Sequence, residues 1–144
     1  MTAIVACVDE RGRVLLVKQL AGPYAGAWLL PGGGVDDGES IEGALRREMR
    51  EETSCELTEL ERVATYEVDE RTQDFKALVH LFRGKALGEP RAEAGSAVRW
   101  AVPSDAGFHA ALRRELADAG LRSEDERAVD RAMAASNVAM RRLG

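Results

Sequence analysis

Residues 3–8 form an unbroken apolar run, Ala-Ile-Val-Ala-Cys-Val, which predicts a strand buried on both faces. The polar stretch Asp9-Glu10-Arg11-Gly12 predicts a reversal into residues 13–19, where Val14, Leu15, Leu16 and Val17 make the second strand of a hairpin. Residues 21–27 are small and glycine-rich and read as loop. Trp28-Leu29-Leu30 predicts a short strand that runs into Pro31-Gly32-Gly33-Gly34, a sequence able to turn sharply and expose backbone carbonyls. The period then changes. Ile41, Leu45 and Met49 recur every four residues behind Ser40, a good N-cap, and predict a helix over 41–53.

Two strands over 57–69 and 75–86 follow, then a last strand over 97–102 containing Trp100. Beyond it Phe108, Leu112 and Leu116 recur at helical spacing behind Ser104, and Gly120 closes that helix. Ser123 and Glu126 have the form of a capping box. Val129, Met133, Met140 and Leu143 mark the apolar side of a final helix, and Arg141 and Arg142 suit its negative end. Strands, an inserted helix, more strands and terminal helices predict an α+β fold, an α/β/α sandwich with a mixed β-sheet between helices. The expected organisation is one domain over 1–144, with a core at 1–103 and C-terminal helices at 104–144. The last of these helices looks like an addition to the core.

The formal net charge of −5 leaves no basic face for counterion release, which argues against a nucleic acid polymer as partner. A small anionic substrate then needs something to cancel the negative charge locally. Cys7 and Cys55 sit in apolar runs and read as buried hydrophobes. With neither a disulfide framework nor zinc spacing, they fit a reducing, cytoplasmic setting. Only a short apolar run precedes Asp9, so no signal peptide is expected. No segment approaches the roughly 18 apolar residues of a membrane span, so no membrane partner is expected.

The chemistry concentrates on the helix at 41–53. Glu48 and Glu52, four apart, project close to its apolar stripe, with Glu51 beside them. Arg46, Arg47 and Arg50 are expected to point largely the other way. Acids at the edge of a core repel one another and are costly to desolvate, so either their pKa values rise or a cation neutralises them. Ligands that are all oxygen favour a hard ion: Mg2+, with Mn2+ as a substitute. The competing reading is a charged surface helix carrying pairs such as Arg47–Glu51. The glycines upstream do not form a P-loop, because no Lys-Ser/Thr follows them. They fail a dinucleotide fingerprint too, because Asp37 takes the third glycine position.

At these residues the chain resembles the Nudix hydrolase family. Gly33 is followed after five residues by Glu39, then after seven by Arg47-Glu48-Met49, then by Glu51-Glu52, with Cys55 in the final apolar place. One position departs: Ser54 stands where the family has glycine. The resemblance implies a metal-dependent hydrolase that cleaves the pyrophosphate bond of a nucleoside diphosphate linked to another group. It implies Glu48, Glu51 and Glu52 as catalytic metal ligands, the Gly32 carbonyl as a further ligand, and Arg47 as the group that orients the carboxylates through Glu39 or Glu51. The general base is either Glu48 or an acid from a loop outside this segment. One more ligand is expected from the loop before the last strand, Glu93 or Glu89. Tyr24 and Phe75 are candidates for stacking on a substrate base, while Trp28 reads more readily as packing. His80 and His109 read as structural. The alternative is a Nudix-like module that senses a nucleotide without cleaving it. The last helix is a candidate homodimer interface.

Overall fold

The structure, a computed structural model, describes residues 1–21, 25–71 and 75–144, with backbone alone at Phe75. Among these residues the chain runs β1 (Thr2–Cys7), β2 (Val14–Lys18), β3 (Trp28–Leu29), β4 (Gly32–Gly34), α1 (Ile41–Thr53), β5 (Glu56–Glu70) and β6 (Phe75–Leu87). It continues with β7 (Val98–Ala101), α2 (Ala110–Asp118), α3 (Glu126–Ala135) and β8 (Val138–Arg142). The strands make a five-stranded sheet in the order β4-β1-β6-β5-β8 and a three-stranded sheet in the order β3-β2-β7. In the larger sheet β1 lies parallel to β6 and antiparallel to β4, so the sheet is mixed.

Alternation along the strands sorts the core onto the two faces of this sheet. Ala3, Val5 and Cys7 of β1 and Phe82 of β6 pack with Leu45 and Met49 of α1. Ala6, Val79, Leu81, Tyr66 and Val68 face the opposite way, against Leu112 and Leu116 of α2 and Val129 and Met133 of α3. The expected layering of helix, sheet and helix is therefore present.

Five expectations about elements need correction. The hairpin of the first two strands is splayed: Val8 bridges Val14, but β1 then pairs with β4 and β6 while β2 pairs with β3 and β7 in the other sheet. The glycine run is not a turn. Gly32, Gly33 and Gly34 are extended and pair with Ile4, Ala3 and Thr2 as the edge strand β4. α2 starts later than Ser104, capped by the His109 side chain, which accepts from the Leu112 amide. α3 is capped by Asp125 rather than Ser123 and ends at Ala135.

The residues after Asn137, expected as the end of a helix, form β8 beside β5. Asn137 sits at φ 59°, a left-handed step that stops the helix and redirects the chain. Val138 and Met140 then supply every second side chain to the core, which is the strand period.

Ser54 is the C-cap of α1 at φ 61°, ψ 15°, with its amide donating to the Arg50 carbonyl. A residue with a Cβ is strained in this left-handed region, and glycine is not. Ser54→Gly is accordingly expected to raise stability by about 1 kcal/mol and the melting temperature by a few degrees. An unchanged or lower melting temperature would show that the turn costs Ser54 nothing.

Candidate active site

Three local features build the site. Ser40 caps α1 by accepting from the Gly43 amide, and Leu45 and Met49 fix the helix rotation by burying fully. That rotation turns Glu48 and Glu52 toward β4. There the backbone amide of Gly32 donates to Glu52 Oε1 at 2.8 Å. A Cβ built on Gly33 would lie 2.5 Å from the Glu48 carboxyl carbon, so a side chain there would push that carboxylate off its place beside the strand.

Arg47 does not point away from the acids, as its position on the helical wheel suggested. Its Nε and Nη2 grip the two oxygens of Glu39 at 2.9 Å each, and Nη2 also donates to the Gly34 carbonyl at 3.0 Å. Nη1 donates to Glu48 at 3.1 Å and approaches Glu51 at 3.4 Å. All five guanidinium donors are thereby engaged. Its long stem reaches across the helix surface, which a wheel that counts only Cβ directions misses. Arg46 and Arg50 do face away, to the Leu57 carbonyl and to Glu56. Glu39 also accepts from the Asp36 amide, so the loop before α1 is folded onto the same guanidinium.

The electrostatics separate the acids. The hydrogen bonds from Arg47 hold Glu39 down at about 2. Burial pushes Glu48 up, with the nearby Glu51 and Asp36 charges adding to it, while Arg47 pulls the other way. Glu52 is pushed up to about 8, first by burial and then by the charges of Glu48, Glu93 and Glu51, against the pull of the Gly32 amide. Among the described residues, the acids do not close into one tight cluster of three or more metal-ligating side chains. Arg47 draws off Glu48 and Glu51, while Glu52 is tied to β4.

Of the two loop acids, Glu93 acts on Glu52 through its charge, and the Arg91 amide ties its loop to the Thr53 carbonyl at the end of α1. Glu89 instead lines a separate cleft with Asp9, Arg13 and Lys85. Tyr24 lies outside the described residues, and so does the Phe75 side chain; the Phe75 backbone pairs with Glu70. Trp28 packs against the core, with the Arg99 guanidinium 5.0 Å over its ring. His80 is buried against Arg62 and Thr65, and His109 caps α2, both structural positions.

Glu115 of α2, buried and pushed up to about 8, had no part in the reading of the sequence. Its signal was available. It falls three residues after Leu112 and directly before Leu116, on the apolar stripe, where an acid is out of place.

Comparison with known proteins places this arrangement. Residues 1–122 match the NUDIX domain. A Mycobacterium tuberculosis protein provisionally named 8-oxo-dGTP diphosphatase 2 is 37% identical over 131 residues, covering 78% of this chain and 89% of its own. Escherichia coli nucleoside triphosphatase NudI is 45% identical over 58 residues, 39% of this chain and 41% of its own. The crystal structure of a MutT NUDIX hydrolase from Burkholderia pseudomallei superposes with a TM-score of 0.73 at 28% identity, covering 81% of this chain and 95% of that one. The matching family and these relatives place the chain in an enzyme class, the hydrolases of phosphorus acid anhydrides. Within that class the chain belongs to the Nudix family and is a pyrophosphohydrolase. The match ends at residue 122, so α3 and β8 lie beyond it.

Proposed function

We propose that this chain hydrolyses a pyrophosphate bond in a nucleoside diphosphate linked to a further group, a nucleoside triphosphate in the first instance, with a divalent cation held beside α1. The observation that carries this is Glu52, a half-buried carboxylate at the edge of the core, anchored by the Gly32 amide and pressed by the charges of Glu48, Glu51 and Glu93. The donors are all carboxylate and backbone oxygen, which suits a hard ion: Mg2+, or Mn2+ in its place. Glu48, Glu51, Glu52, Glu93 and the Gly32 carbonyl are the residues that would hold it. When bound, the cation neutralises the charge that builds on the phosphate oxygens.

The remaining roles fall to the chain itself. Glu48, less acidic than usual through burial, accepts the proton of the attacking water. Arg47 positions Glu48 and Glu51 and fastens them to the Glu39 loop. Gly32 fixes the rotamer of Glu52 through its amide. The name of the Mycobacterium tuberculosis relative makes 8-oxo-dGTP the first substrate to try. The test is phosphate and pyrophosphate release from a nucleotide panel that includes 8-oxo-dGTP, with and without Mg2+. Turnover that depends on the cation supports the reading. Tight nucleotide binding with no turnover anywhere in the panel would instead favour a sensor.

A further inference from the structure

The segment from Gly88 to Ser96, between β6 and β7, adds nothing to the core: none of its side chains is buried. Apolar packing therefore does not fix its path, and hydrogen bonds must. Two clasps do so. At one end the Arg91 amide donates to the Thr53 carbonyl at 2.8 Å, next to Glu52 at the close of α1. At the other the Ser96 hydroxyl donates to the Lys18 carbonyl at 2.9 Å, and the Lys18 amide donates to the Ala97 carbonyl at 3.0 Å. Lys18 ends β2 and pairs with Trp28, from which the chain runs through Leu30 and Pro31 into Gly32. The clasps thus tie the segment to the two frames that carry Glu52 and Gly32.

Between the clasps lies a tight turn. The Ser96 amide donates back to the Glu93 carbonyl at 3.0 Å, and Gly95 takes the third position at φ 82°, a left-handed conformation that glycine adopts without strain. Glu93 opens this turn and Ser96 ends it. Ser96 therefore closes the turn through its amide and moors it to β2 through its hydroxyl. The charge of Glu93 acts on Glu52, so the moored turn keeps its carboxylate within electrostatic range of the α1 acids.

We propose that Ser96 is a positioning residue: its hydroxyl moors the Glu93 turn to β2 and so holds the Glu93 carboxylate near the α1 acids for a divalent cation. The inference rests on the reading of Glu93 as one of the groups that hold the ion, and it goes on to say what places that group. A carboxylate on an untied, exposed turn would have to be ordered at the moment the ion binds, which lowers affinity. A turn already ordered by its neighbours does not carry that cost. The Arg91 clasp alone leaves the Glu93 end of the segment free to swing, because it grips two residues before the turn begins.

The test compares the parent chain with Ser96→Ala, Ser96→Thr, Glu93→Gln and the Ser96→Ala/Glu93→Gln double variant. Mn2+ binding to the nucleotide-free protein is read from the electron paramagnetic resonance of the free ion. Ser96→Ala is expected to weaken Mn2+ about three- to tenfold, the scale of one lost hydrogen bond. It should raise the Mg2+ concentration for half-maximal turnover by a similar factor and leave kcat at saturating Mg2+ within about twofold. The melting temperature under chelator should stay close to that of the parent, because the lost bond is exposed. Ser96→Thr keeps the hydroxyl and should bind Mn2+ as the parent does. In the Glu93→Gln background Ser96→Ala should cost nothing further, since the two residues act through one carboxylate. Parent-like Mn2+ binding by Ser96→Ala, or an equal loss with Glu93 already replaced, would overturn the assignment. Unchanged Mn2+ binding by Glu93→Gln would remove Glu93 from the ion site, and the role of Ser96 with it. Because the ion binds without substrate, nucleotide turnover by the parent chain tests the hydrolase reading separately.

Discussion

Glu52→Gln is expected to lower kcat by about 10²–10³-fold, the scale on which removal of one preorganised charged group acts. The same change should raise the melting temperature of the metal-free protein at pH 8. Both effects have one cause. In the folded chain Glu52 titrates at about 8, against an ordinary value of 4.5. Between those values the folded state holds a proton that the unfolded state has released, so stability falls as pH rises through that window. Glutamine keeps an oxygen for the Gly32 amide and removes the titration. The gain in melting temperature should accordingly shrink toward pH 5, where the native carboxyl is protonated too, and adding Mg2+ should favour the parent over the variant. The checks are steady-state kinetics and thermal melts at pH 5 and pH 8, with chelator and with Mg2+. Full-rate turnover by the variant would remove Glu52 from the catalytic machinery. A lower melting temperature at pH 8 would refute the crowding of charge.

Gly32→Ala is expected to cost about 3 kcal/mol or more of folding stability. Gly32 sits at φ 145°, and a Cβ there would lie 2.0 Å from the Ala3 carbonyl oxygen and 2.7 Å from the Ile4 Cα. Both are backbone atoms of the neighbouring strand and have no rotamer into which to retreat. Relief requires β4 to part from β1, which also withdraws the amide from Glu52. Urea denaturation followed by circular dichroism measures the effect as a lower midpoint, and activity should fall with it. A midpoint equal to that of the parent chain would mean that β4 tolerates a side chain, and that its pairing with β1 does not position the acids.

Much of the site was legible because it is local. Ser40, the stripe of Ile41, Leu45 and Met49, and the spacing of Glu48, Glu51 and Glu52 all lie within fourteen residues that form one helix with its cap, and helical geometry fixes their relative directions. Ser54 was legible only as a serine in a glycine's place, and its left-handed conformation came from the structure. What could not be read depends on partners distant in sequence. Gly32-Gly33-Gly34 has the composition of a turn and becomes a strand only because β1 lies alongside it. Arg47 faces away on a wheel, and its destination is set by Glu39 and the Gly34 carbonyl across the fold. Val138 to Arg142 share apolar residues with a helix pattern, and the open edge of β5 decides in favour of a strand. Glu115 lies on an apolar stripe, and only the packing of α2 on the sheet shows that it is buried there.

The late strand β8 bears on how the protein is made. Tyr66 pairs with Arg142 and Glu70 with Val138, so the flank of β5 stays bare until α2 and α3 have been synthesised and folded back. At a translation rate of roughly 5–20 residues per second, that interval lasts several seconds on the ribosome. During it the nascent chain displays an unzipped ribbon edge of the kind that chaperones shield and that recruits like edges into aggregates.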